Sequence, residues 1–296
     1  MTVAAGTFQS FQSIGNREDL EDVIYNIAPT ETPFLSMAAK TKVTARFHEW
    51  QTDSLASAAT NQAIEGDDAT NTTATPTVRV GNYCQISQKT FGVSGTQEAI
   101  NKAGRKSELA YQLAKRGKEL KRDMEYALTR NQGSSAGGAG TAQSMASTES
   151  WMSTNLTSLG SGGSPSTPGF SNGTVAAPTD NSAMGTISEA ALKAVIKSVW
   201  TQGGDPGVIL CGPFNKQKIS AFAGIATQYK VNTQNGKRAQ ILGAADSYVS
   251  DFGEHKVIPS RFNRDQVVQI LDMDYWAVGY LRPFQQYALA KTGDAE

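Results

Sequence analysis

One long stretch of 3.6-residue periodicity dominates the chain. Across 105–131, Leu109, Leu113, Leu120, Met124 and Leu128 recur every three or four positions, with Gly117 in the stripe between Leu113 and Leu120. The pattern predicts a single uninterrupted helix of about 40 Å with one buried face. The other face carries Arg105, Lys106, Lys115, Arg116, Lys118, Lys121, Arg122 and Arg130 against Glu108, Glu119, Asp123 and Glu125. The simplest role of such a basic surface is to meet solvent, because long charged stems cover apolar area without a partner.

Before this helix the pattern is sparser. Residues 1–40 read as an arm: a polar start, then an acidic helical turn at Glu18, Asp19, Glu21 and Asp22 leading into Val23, Ile24, Tyr25 and Ile27, stopped by Pro29. Alternation at 43–50 and again at 77–93 predicts two long strands joined by an extended, hairpin-like loop. The loop tip at 61–75 has too few apolar residues to pack on its own body, so it is expected to be disordered or to lie on a partner.

After the helix, 133–185 is rich in Gly, Ser, Thr and Pro, apart from an island at Trp151, Met152 and Leu156, and reads as a linker or surface insertion. Thr186 and Glu189 are spaced as a capping box ahead of Leu192, Val195, Ile196 and Val199 on one helical face, and Gly203 and Gly204 end that helix. Residues 208–211 form a short, fully apolar strand; Pro213 opens another helix running to Phe222; Asn235 and Gly236 signal a turn before a strand at 241–249. This predicts a small α/β unit. Three further strands, in 255–262, 266–276 and 277–290, need the long helix to cover their apolar face.

Composition changes the picture little. Lys and Arg total 27, as do Asp and Glu, so the chain has no net charge and is no dedicated nucleic-acid binder. Cys84 and Cys211 are too far apart in sequence to suggest a metal or disulfide pattern, so each reads as a small buried hydrophobe in a reducing compartment. No apolar run is long enough to span a bilayer or to act as a signal peptide.

Each catalytic or ligand pattern has a simpler reading. The GSSAG segment places Ser135 in a G-x-S-x-G pattern, with Asp251 and His255 following in the chain order of an α/β-hydrolase triad. A nucleophile elbow needs a strand before the serine and a helix after it, whereas here a charged helix precedes and a glycine-rich tract follows. A serine hydrolase is therefore the alternative function class, and a low-complexity segment the preferred reading. His48 and Glu49 lack the second histidine a zinc protease requires; Glu65, Asp67 and Asp68 around Gly66 are too few for a calcium loop; Lys237 and Arg238 after Gly236 lack the spacing of a phosphate-binding loop. Three N-x-[ST] triplets, at Asn71, Asn155 and Asn172, carry no weight in a chain that is not secreted. No catalytic, cofactor-binding or metal-ligating set emerges.

The stretches REDLEDVIYNIAPTETPFLS, FHEWQTDSLA, NYCQISQKTFGVSGTQEA, GRKSELAYQLAKRGKELKRDMEYAL and LRPFQQYALAKTGD, in this order and spacing, resemble the major capsid proteins of tailed phages, which share the Hong Kong 97 fold. The resemblance covers nearly the whole chain except 133–185, where only TESWMSTN fits. It implies an α+β architecture: an N-terminal arm at 1–40, an extended loop at 41–92, a peripheral domain with its spine helix at 93–132, an insertion at 133–185, an axial domain at 186–251 and returning peripheral strands at 252–296. It also implies a function: self-assembly, through pentameric and hexameric capsomers, into the icosahedral head of a bacteriophage around its genome, without enzymatic activity.

Further expectations follow from the resemblance. The assembled protein would reside in the virion after assembly in the host cytoplasm, with a portal, a separate scaffolding protein, a possible decoration protein and DNA touching the inner face non-specifically as partners, and no membrane. A separate scaffold is expected because the chain starts almost directly in the arm. The family would be expected to continue past Glu296 into a closing strand. Covalent crosslinking through the loop is disfavoured, because no lysine lies between Lys42 and Lys89. Finally, Asp53, Glu65, Asp67 and Asp68 of the loop are expected to meet Lys115, Arg116, Lys118, Lys121 and Arg122 of a neighbour's spine helix, contributing an inter-subunit contact.

Overall fold

The computed structural model describes residues 30–69, 71–161, 168–222, 246–289 and 293–294. The expected acidic helical turn at 18–27 and the turn at Asn235 and Gly236 lie outside them. In chain order the helices are α1 (Pro33–Met37), α2 (Gly95–Ala99), α3 (Glu108–Thr129), α4 (Thr148–Trp151), α5 (Glu189–Thr201) and α6 (Pro213–Ser220). The strands are β1 (Ala39–Lys42), β2 (Phe47–Thr52), β3 (Val78–Tyr83), β4 (Gly160–Ser161), β5 (Gly169–Ser171), β6 (Thr174–Ala176), β7 (Ala183–Met184), β8 (Val208–Cys211), β9 (Ser247–Ser250), β10 (Gly253–Pro259), β11 (Val268–Leu271) and β12 (Ala277–Tyr280). The chain divides into two units, one of 30–88 with 119–285 and one of 89–118 with the chain ends; the boundary falls within α3.

The larger unit is built on a four-stranded sheet in the order β11-β8-β10-β9. Strand β8 is apolar at every position and buried on both faces, so it takes a central place, parallel to β10 and antiparallel to β11. Val208 and Leu210 point to one side, where they pack with Leu271 and Ile258 against Leu128 and Met124 of α3 and Phe34 and Leu35 of α1. Ile209 and Cys211 point to the other, against Leu192 and Ile196 of α5 and Ile219 of α6. The sheet therefore lies between two helical layers. It also joins strands from both sides of the boundary expected at 251/252: β10 and β11 complete the backbone hydrogen bonds that β8 offers on its two edges, so 186–251 is not a self-contained unit.

Smaller differences from the sequence expectation have local causes. Residues 33–42 are not free arm, because Phe34, Leu35 and Ala38 are buried in the core and β1 pairs in parallel with β12. Ser188, not Thr186, caps α5, its hydroxyl accepting from the Ala191 amide at 3.2 Å, while Glu189 turns outward to Lys193 at 2.8 Å. Gly203 closes that helix with φ +90°. Strand β3 stops at Tyr83, well short of 93.

The tract 133–185 is no open linker. Ser135 and Ser144 form a bridge, as do Gly138 and Thr141, and the strand pairs β4 with β7 and β5 with β6 follow. Gly137 has φ +67°, and a Cβ there would stand 2.7 Å from the Gln143 amide nitrogen. Residues 146–150, which carry little hydrophobic signal, are fully buried. Their polar atoms are satisfied at long range: the Thr148 hydroxyl donates to Gln269 Oε1 at 2.7 Å, and the Ser150 hydroxyl to the Gln132 carbonyl at 2.7 Å.

In the smaller unit α2 is held at both ends. Asp294 accepts from the Thr96 amide and hydroxyl at its N-terminus, and Lys102 donates to the Gln97 and Glu98 carbonyls, both at 2.9 Å, at its C-terminus.

Candidate subunit interface

The extended loop stands on a well-anchored base. Strands β2 and β3 pair from Phe47 opposite Tyr83 to Thr52 opposite Val78, and a Cβ on Gly81 would stand 2.7 Å from the Phe47 ring. Glycine is thus required where the Phe47 ring crosses the ribbon, packing on Tyr83 at a tilt of 41° with centroids 4.5 Å apart. Asn82 exchanges hydrogen bonds with the backbone of Ala146, and Trp50 packs on Trp151 with centroids 5.2 Å apart.

Beyond this base every described residue from 53 to 77 is exposed, including Leu55 at 98% and Ile64 at 77%. Gly66, at φ +85°, makes the tip turn, closed by the Asp67 amide donating to the Ile64 carbonyl. Asp53, Glu65, Asp67 and Asp68 all point into solvent, and none makes an ion pair among the described residues. Asp53 and Asp67 accept only from the amides of the residues that follow them.

The basic helix face is less uniform than its sequence suggests. Lys115, Lys118 and Lys121 are exposed; Arg116 and Arg122 are half-buried, with the Arg122 guanidinium 5.9 Å from the Phe262 ring centroid. Two of the acids expected on this face are buried instead. Glu108 pairs with Arg105 and accepts from Gln112 at 2.8 Å. Glu125 is 0% exposed and accepts from the amides of Phe34 at 2.9 Å and Leu35 at 2.8 Å, capping α1 where Thr32 provides no side-chain cap. Burial pushes the Glu125 carboxyl above its usual range, and the two amides offset only part of that. A carboxylate bordering the apolar stripe at Met124 and Leu128 was the available sign of this role.

A second buried charge group went unseen in sequence. Arg264 forks onto Glu149, with Nη2 to Oε2 at 2.6 Å and Nε to Oε1 at 3.2 Å, and onto Asp180, with Nη1 to Oδ2 at 2.7 Å and Nη2 to Oδ1 at 3.0 Å. Burial raises the Glu149 carboxyl despite the guanidinium. For Arg264 burial works downward, but the bonds to Asp180 and Glu149 outweigh it and hold its pKa above the ordinary value. Nothing in the sequence pairs residues 115 positions apart.

The hydrolase constellation is not assembled. Ser135 Oγ accepts from the Gly137 amide within its own turn, and both nitrogens of buried His255 are engaged, one with Ser250 Oγ at 2.7 Å and the other with the Pro206 carbonyl. Asp251 lies exposed in the turn between β9 and β10. Cys211 is buried, and burial pushes its thiol up to about 11; Cys84, expected to be buried, is only half so. Among the described residues no group of three His, Cys, Asp or Glu is placed to hold a metal ion, and no helix is long and apolar enough to cross a membrane.

An exposed acidic loop and a basic helix face fit a protein that works through surfaces. The profile of the SU10 major capsid protein family matches residues 3–296. The chain belongs to that family. A curated relative, the major capsid protein of Escherichia phage Phieco32, is 40% identical over 126 residues, which make up 42% of this chain and 36% of the relative. That alignment thus spans little more than a third of the relative's length. A chain of the cyanophage A-1(L) capsid asymmetric unit matches in structure with a TM-score of 0.50 at 14% identity, over 92% of this chain and 78% of that one. The mixed helix-and-sheet fold of this SU10-family protein is therefore similar to that of a phage capsid subunit.

Proposed function

We propose that this SU10-family protein is the repeating subunit of a tailed-phage head, built on the Hong Kong 97 plan and assembling through pentameric and hexameric capsomers into the icosahedral shell around the genome. The observation that carries this reading is the loop at 53–77, which is anchored at its base and exposed along its described length, with two large apolar side chains and four acids turned to solvent. A monomer gains nothing from such a segment, whereas a shell subunit orders it on a neighbour and repeats the contact around the particle. In this reading the portal, a separate scaffolding protein, a decoration protein and DNA on the inner face are the other partners. The protein resides in the virion after assembly in the host cytoplasm, and no catalytic step is assigned to it.

Within the shell, the loop acids of one copy lie on the basic face of a neighbour's α3. Each exposed pair contributes only about 0–1 kcal/mol, but the contact recurs at every subunit and is screened by salt. The test is charge reversal at Asp67→Lys with Asp68→Lys, at Lys115→Glu with Lys118→Glu, and in the combined variant, with particle yield read at low ionic strength. Arg122 is left in place because it packs on Phe262. Each reversal alone should lower the yield and the combination should restore it; a combination no better than either parent would refute the contact.

A further inference from the structure

Strands β1 and β12 form a parallel pair with no third strand among the described residues. A sheet of two strands is marginal on its own, and this one has an open edge. The Ala39 and Val43 amides donate inward to the Trp276 and Tyr280 carbonyls, both at 3.1 Å, so alternation turns the backbone groups of Lys40 and Lys42 outward, where no described residue bonds them. Beside that edge lies a groove of about 360 Å³ lined by Lys40, Thr41, Lys42, Tyr280, Leu281 and Pro283. Lys40, Lys42 and Arg282 are exposed there and make no ion pair among the described residues.

Lysines on an open edge discourage most strands from pairing, so the segment that is admitted must bring negative charge and an apolar side chain for the groove. The loop supplies both. Asp53 and Leu55 are two residues apart and share one side of an extended chain, the same spacing as Lys40 and Lys42. Leu55 is 98% exposed, and Asp53 accepts, among the described residues, only from the Ser54 amide. Loop and groove do not meet within one chain, because Leu55 stands in solvent while the groove is open. A second copy is the occupant that carries the matching segment. Such a contact joins two different patches head to tail and repeats around a ring.

We infer that residues 53–57 of one copy add as a third strand along the open edge of β1 in a neighbouring copy, with Asp53 beside Lys40 and Lys42 and Leu55 in the groove closed by Tyr280, Leu281 and Pro283. The inference rests on the reading that the loop orders on a neighbour, and it assigns a place to the neck of the loop. The tip acids Glu65, Asp67 and Asp68 remain with the α3 contact proposed above.

The experiment uses particles assembled from the full chain carrying Cys84→Ser, since Cys211 is fully buried. Leu55→Cys is combined in turn with Lys40→Cys, Lys42→Cys and Leu281→Cys, and with Lys197→Cys, exposed on α5 across the sheet, as a control. After mild oxidation, at least one groove pair should form disulfides between chains at about tenfold the yield of the control, because only close Cα pairs can be bridged. In the parent, hydrogen exchange at the Lys40 and Lys42 amides should slow at least about tenfold from free subunit to particle, as new ladder bonds protect them. Disulfides within single chains, equal yields for groove and control pairs, or unchanged exchange at 40 and 42 would each overturn the inference. Cutting at Glu65 by a glutamate-specific protease separates it from the reading it rests on. A loop protected in particles that give no groove crosslink refutes this docking place alone, whereas a loop cut as fast in particles as in the free subunit refutes both.

Discussion

Arg264→Met should be among the most damaging single substitutions in the larger unit. Methionine keeps much of the side-chain volume but removes the cation that, alone among the described residues, is bonded to Glu149, whose side chain is 2% exposed. Removing one partner of a buried ion pair leaves an uncompensated charge and destabilises by about 3–5 kcal/mol. Asp180 adds little to this, because its side chain is 38% exposed and water can replace the guanidinium. Protonation of Glu149 limits the loss, and burial already raises its pKa, so the penalty should shrink as the pH falls from 7 towards 5.

The assay is urea unfolding of the unassembled subunit followed by circular dichroism. With a slope of about 3 kcal/mol/M, the substitution should lower the midpoint by 1 M or more. Glu149→Gln in the same chain removes the stranded charge, and the double variant should regain at least about 1 kcal/mol over Arg264→Met alone. A single variant within 1 kcal/mol of the parent, or a double variant no more stable than Arg264→Met, would refute the reasoning.

Two further outcomes follow from named groups. The folded pKa of Glu125 is raised, so folding binds its proton more tightly; the stability this contributes is fully present below the ordinary glutamate value of about 4.3 and lost as pH rises through the folded pKa. The stability difference between the parent and Glu125→Gln should therefore fall as pH rises from 4 to 7, on top of a constant offset for the changed bonds to Phe34 and Leu35, and a pH-independent difference between the two midpoints would contradict this. Gly137→Ala should cost about 1–3 kcal/mol, from its positive φ and the approach to Gln143, whereas Gly138→Ala, with nothing near its Cβ, should be close to neutral; equal melting temperatures for the two would show that the turn at 133–144 is not fixed.

The sequence discloses elements whose signal is local. Residues 208–211 read correctly because four apolar positions bounded by glycines can only be a buried strand, and α3 reads correctly to within three residues at each end because its periodicity is strong. The loop at 53–77 is legible for the same reason in reverse, since a stretch so poor in apolar residues offers nothing to bury. Composition misleads over 146–150, where Ala, Ser, Thr, Glu and Ser suggest a surface yet form core. Their burial depends on Gln132, Arg264 and Gln269, partners identified only by the fold. The pairing of β8 with β10 and β11 is likewise not legible, because it is a long-range choice among several apolar strands.

The same long-range polar groups determine how α3 sits on the sheet. Its apolar stripe repeats every four residues as Leu120, Met124 and Leu128, so a slide by one turn, about 6 Å, exchanges leucine for methionine and back with little change in apolar contact. Polar contacts are not so forgiving. The slide would take Glu125 from the Phe34 and Leu35 amides, and would move the Thr129 carbonyl away from the Gln269 amide. Each buried group left without a partner costs about 1–3 kcal/mol, so several lost together exceed any difference the apolar stripe could supply. Hydrophobic burial therefore brings the helix to the sheet, and Glu125 and Gln269 select the one register in which it stays.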